Sequence, residues 1–162
     1  SQKKEVFEHW ELDSVVSSRG ESKACFATFV ELKTRFYVAI KMPDRSKNSM
    51  LEAIKQLTSN IPKEAFKTFT SDRGKEFSCL KEVEEMGIDF YFADPYCLWQ
   101  RGCNENSNGL LREFYPKKTD ISKVETEDLL RTLMLINSRP RKCLNYATLF
   151  EKFLHEIKFE EI

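Results

Sequence analysis

The chain has 162 residues, 41% of them hydrophobic, which is one domain's worth with room for a sizeable core. Its 26 basic and 26 acidic side chains cancel, so bulk charge points to neither nucleic acid nor membrane and any basic surface has to be local. Five scattered cysteines, two histidines and the lack of a CxxC pair speak against a disulfide framework and a structural zinc site and fit a reducing, intracellular setting, while no apolar run nears the ~18 residues of a membrane span and no signal peptide is visible.

From Ser1 a strand-like pattern begins within about ten residues, as expected of a core cut from a longer chain; residues 1–162 read as one domain. Trp10 to Val16 (WELDSVV) has the apolar spacing of a strand and carries Asp13 in its middle, where an acid is unwelcome. The turn-rich SSRGESK leads to a second strand, Ala24 to Leu32, and the short Lys33-Thr34 connection to a third, Arg35 to Met42. These three read as an antiparallel meander closed by Pro43. Ser49 with Glu52 has the form of a capping box, and Met50, Leu51, Ile54, Leu57 and Ile61 recur at helical spacing until Pro62.

EAFKTFT (Glu64 to Thr70) reads as a fourth strand and ends on Asp72 in SDRGKEF. Arg73-Gly74 is read as a tight turn that uses glycine's freedom of backbone angle. A second helix buries Phe77, Leu80 and Val83 and stops near Gly87, followed by a fifth strand, Ile88 to Ala93. Residues 94–104, with Pro95, Tyr96, Trp99, Arg101 and Gly102, show no period and read as a loop. Helical spacing starts at Asn104 and runs to Pro116, returns from Thr126 to Ile136, and suggests a last helix at 147–158. The order β-β-β-α-β-α-β-α-α predicts an α/β fold: a five-stranded mixed sheet with helices on both faces, the layout of the ribonuclease H-like fold.

In open α/β sheets, ligands bind beyond the carboxyl ends of strands, where Asp72 is expected; its plainer reading is a turn or helix cap. If the first and fourth strands are neighbours, Asp13 and Asp72 bring like charges together, a cost that a cation removes. Hard oxygen donors of this kind suit magnesium or manganese. Glu105 offers a third carboxylate, or merely a favourable acid in a first helical turn. It shares a helix face with Asn108 and Arg112, groups able to meet a phosphate.

The blocks WELDSVV, TSDRGKEF, DPYCLWQRGCNENSNGLLREFYPKKTD and NSRPRKCLNYAT, in that order from about Trp10 to Phe150, resemble the catalytic core of DDE transposases of the insertion-sequence-thirty family, relatives of retroviral integrase. The resemblance implies that Asp13, Asp72 and Glu105 are catalytic and hold two magnesium or manganese ions. It also implies phosphoryl transfer that cuts the ends of a DNA element and joins them to target DNA. Asp13 would bridge both ions, with Asp72 on one and Glu105 on the other. Between Asp72 and Glu105 lie 32 residues (105 − 72 − 1), one fewer than the family usually has, and Leu98 and Leu149 stand where it tends to carry prolines. Glu76 resembles the acid that follows the family's second aspartate and is read as a support for the ligands at most. Cys103, with no histidine partner in sequence, is read as a bystander.

Residues 101–142 hold nine basic and six acidic side chains, a modest local excess. DNA is the expected partner, with Arg101, Asn108, Arg112, Lys117 and Lys118 meeting phosphates and Tyr96 and Trp99 stacking on a distorted end; the plainer reading of Trp99 is a packed loop aromatic. By similarity the protein is expected to be a homodimer or higher multimer, to reside in a bacterial cytoplasm on chromosomal or plasmid DNA without a membrane partner, and to recognise its ends through a helix-turn-helix region N-terminal to this core. The alternatives are a repurposed core that only binds DNA or dimerises, and a ribonuclease H-like nuclease that cuts without joining.

Overall fold

The computed structural model describes residues 8–18, 20–93 and 102–139, with the backbone alone at 102–104. The expected last helix and the stretch from residue 94 to Arg101 lie outside them. Strands β1 (His9–Val16), β2 (Cys25–Glu31) and β3 (Tyr37–Met42) form the antiparallel meander, and β4 (Thr68–Ser71) and β5 (Asp89–Phe92) add to it in parallel to β1. The resulting sheet has the order β3-β2-β1-β4-β5. Apart from β2, every strand runs the same way, so β1, β3, β4 and β5 all end on one edge.

Each strand shows two faces because its side chains alternate, and β2 makes the consequence plain. Cys25, Ala27 and Phe29 join a core with α1 (Lys47–Asn60) and α2 (Leu80–Glu85), while Phe26 and Val30 join a second core with α3 (Gly102–Phe114) and α4 (Thr126–Ser138). All seven residues of β2 are buried, as a central strand covered on both faces requires. Trp10 anchors the first core. It is fully buried, stacks on Phe66 at 5.2 Å and donates from Nε1 to the Ala65 carbonyl at 2.7 Å.

The elements follow the predicted order, with shifts at their ends. The α1 cap is Ser46, whose side chain accepts from the Ser49 amide, so the expected cap Ser49 sits inside the first turn and bonds Asp44 instead. The fourth strand is shorter than expected, since Lys63–Ala65 is a 3-10 turn and pairing starts only at Thr68. Its apolar residues explain this: Phe66 and Phe69 are three apart, a spacing no single strand face provides. Lys75–Cys79 is likewise a 3-10 turn before α2, and Ile121–Lys123 is a further one between α3 and α4. Gly87, at φ +91°, ends α2 in the left-handed conformation that glycine favours. Helix α3 begins two residues earlier than expected, at Gly102.

Candidate active site

Parallel pairing of β1 with β4 matches His9 to Thr68, Trp10 to Phe69 and Glu11 to Thr70. Continuing that register by two residues puts Asp13 level with Asp72. Asp72 therefore lies just past the carboxyl end of β4, where ligands meet open α/β sheets, and Asp13 lies level with it on the neighbouring strand, beyond the last β1–β4 pair and still opposite Thr28 of β2. Asp13 is half-buried on the α3 face, and each of its oxygens is engaged: Oδ1 accepts from the Ser14 amide at 2.8 Å and Oδ2 from Asn108 Nδ2 at 3.1 Å.

A buried hydroxyl holds that contact in place. Tyr37, fully buried, donates to Asn108 Oδ1 at 2.7 Å, so the Asn108 amide is oriented with its NH2 toward Asp13. Burial, reinforced by the nearby Asp13 charge, pushes the Tyr37 hydroxyl well above its ordinary range and keeps it a donor. Glu105 lies one turn earlier on the same face of α3 and is exposed. Among the described residues, no three His, Cys, Asp or Glu side chains stand close enough as placed to hold a metal ion. The fold thus brings the two aspartates level and directs α3 toward them, with Glu105 at the helix's outer end.

Past β4 the chain turns through Asp72-Arg73-Gly74. The Gly74 amide donates to Asp72 Oδ1 at 2.9 Å, and the Arg73 guanidinium lies 4.9 Å over the Phe92 ring at the end of β5. Gly74 has φ −60° and ψ 152°, an extended conformation open to any residue, so the expected need for an unusual backbone angle is corrected. A Cβ there would overlap Glu76 Oε1 and lie 3.0 Å from Asp72 Oδ1, so a side chain at this position would displace the ends of those two carboxylates.

The other expected DNA contacts divide. Arg112 donates to the Val16 carbonyl at 2.6 Å and the Tyr115 carbonyl at 3.5 Å, fastening α3 to the end of β1, and burial draws its guanidinium below the ordinary value. Asn108 is committed to Asp13 and Tyr37. Lys117 and Lys118 are exposed beyond α3, and Tyr96, Trp99 and Arg101 lie outside the described residues. Sequence reasoning missed Tyr37, which reaches Asp13 through Asn108, since nothing in its spacing ties it to an acid 24 residues away (37 − 13). Burial pushes the thiols of Cys25 and Cys79 up to about 11, which leaves both unreactive at neutral pH.

The Integrase core domain family matches residues 3–97. The transposase InsI of insertion sequence element IS30A from Escherichia coli (strain K12) is 36% identical over 141 residues, which cover 86% of this chain and 36% of that protein. The chain therefore spans little more than a third of that relative's length. Among solved structures, the catalytic core domain of BIV integrase has a TM-score of 0.71 at 18% identity, covering 97% of this chain and 100% of that one. The HTLV-2 integrase catalytic core domain in complex with magnesium has a TM-score of 0.69 at 15% identity, covering 89% and 94%. These two likenesses establish the fold as ribonuclease H-like, and the matched sequence shows that the chain belongs to the integrase core domain family.

Proposed function

We propose that this chain is the catalytic core of a DDE transposase, a polynucleotidyl transferase that cuts the ends of a DNA element and joins them to target DNA. The observation that carries this reading is the level placement of Asp13 and Asp72 on adjacent parallel strands, with Glu105 on the helix that reaches them. Identity of 36% to an insertion-sequence transposase supports it from outside the geometry.

The donor set fits a hard divalent cation, because two carboxylates at one strand edge repel until a cation lies between them. In this reading Asp13, Asp72 and Glu105 hold magnesium or manganese. A divalent cation held there would supply Lewis-acid chemistry to the phosphoryl oxygens. The chain's own residues do the positioning. Asn108 and the Ser14 amide fix the Asp13 carboxylate, the Gly74 amide fixes Asp72, and Arg112 holds α3 against β1. Lys117 and Lys118 offer exposed charge to DNA phosphates, which predicts salt-sensitive binding. DNA ends and target are the substrates, and a homodimer or higher multimer is the working assembly.

Asp72→Asn tests the reading. With manganese and the element's own ends, the full-length variant is expected to lose strand transfer by on the order of a thousandfold, the several kcal/mol that a metal contributes, while still binding DNA. Undiminished transfer would refute the assignment. Cleavage without joining in the wild type would instead make the protein a nuclease, and DNA binding with no chemistry in either form would make it a binding module.

A further inference from the structure

Glu76 is a buried carboxylate that the fold places between the two acid-bearing segments. It is 3% exposed, in the 3-10 turn that follows Asp72. On one side, Oε2 accepts from Ser14 Oγ at 2.6 Å, and the Ser14 amide in turn donates to Asp13. On the other, Oε1 enters the space that a side chain at Gly74 would need, beside Asp72 Oδ1. That oxygen has no hydrogen-bond partner. The Arg45 Nε lies 3.4 Å from it, off the line of a hydrogen bond, and supplies countercharge from the loop between β3 and α1.

A carboxylate buried without a full set of donors is costly, and packing alone does not call for one. Here its two oxygens reach opposite sides of the site. Ser14 belongs to β1 and the Gly74 turn to the exit of β4, so one side chain spans the pair of strands at the level where their aspartates stand. We infer that Glu76 is a positioning residue. It ties Ser14 to the Asp72-Gly74 turn and so sets the mutual placement of the Asp13 and Asp72 carboxylates, with Arg45 neutralising its charge. The inference rests on the reading of those aspartates as metal ligands.

Glu76→Gln keeps the shape and removes the charge, and Ser14→Ala removes the link while leaving Glu76 in place. The first readout needs no metal: amide hydrogen exchange at Ser14 and Gly74, whose N–H groups bind the two aspartates. Both amides are expected to exchange faster in either variant, with the melting temperature within a few degrees of wild type. The second is manganese titration by calorimetry, where Glu76→Gln is expected to weaken binding by about tenfold, the lower end for supports behind a metal ligand. Unchanged exchange at both amides overturns the inference. So does wild-type manganese affinity in Glu76→Gln when Asp72→Asn has lost it. If Asp72→Asn binds manganese as the wild type does, the metal reading of the aspartates fails instead, and the two amides still decide the role of Glu76. Should Glu76→Gln not fold, Ser14→Ala carries both readouts.

Discussion

Asp13 takes its surroundings from three different elements: its neighbour Ser14 on β1, Asn108 on α3, and, through Asn108, Tyr37 on β3. Removing the Tyr37 hydroxyl leaves Asn108 Oδ1 without that donor and the amide free to turn. Tyr37→Phe is expected to cost about 1 kcal/mol, lowering the melting temperature by about 2–4 °C. A variant that melts with the wild type would show that the hydroxyl contributes nothing to the placement of Asn108. At this scale Asp13 stood out in the sequence as a carboxylate inside an apolar strand, whereas Asp72 and Glu105 were assigned their role through the family resemblance. Tyr37 did not stand out, since an aromatic in a strand is what any buried sheet contains.

Among the elements, β3 is exposed to the edge problem, because it ends the sheet on one side. Helix α4 answers it with a single side chain. Asn137, buried, accepts from the Tyr37 amide at 2.9 Å and donates to the Tyr37 carbonyl at 2.8 Å, imitating one residue of a sixth strand. Asn137→Ala is expected to destabilise the fold by about 2 kcal/mol while leaving the strand order intact, as read by denaturant unfolding with an unchanged slope. A loss below 0.5 kcal/mol, roughly the least a single hydrogen bond contributes, would mean water replaces both bonds. The helical period of α4 could be read from Leu129, Leu133 and Ile136, but not the use of Asn137, which a sequence presents as a polar residue near a helix end.

For the molecule as a whole, acid sensitivity follows from carboxyls that take hydrogen bonds in the folded state. Asp44 is held below its ordinary value chiefly by Ser46, then Ser49, and Asp120 by Ser122, then Ser22. A depressed folded value means that the stabilisation is present above the unfolded value of about 3.9 and is lost as pH falls through the folded one. Both groups are half-exposed, so the change is gradual. Melting temperature is expected to decline as pH drops below about 4, and the double variant Asp44→Asn with Asp120→Asn is expected to show a shallower decline. An identical acid slope in the two proteins would assign the effect to other groups. Among the described residues no helix is long and apolar enough to cross a membrane.

The residue pattern alone determined the order of elements and the two-faced sheet, because hydrophobic periodicity is a local property. It also carried the family resemblance, since four blocks in fixed order survive without reference to space. Tertiary structure decided what those local properties leave open: that β1 and β4 are neighbours in a register making Asp13 and Asp72 level, that Arg112 is turned to a carbonyl rather than to solvent, and that a side chain at Gly74 would meet the Glu76 carboxylate. Each of these depends on which segment lies opposite, separated in most cases by tens of residues. No local spacing encodes a partner so far along the chain, and only packing the whole sheet supplies it.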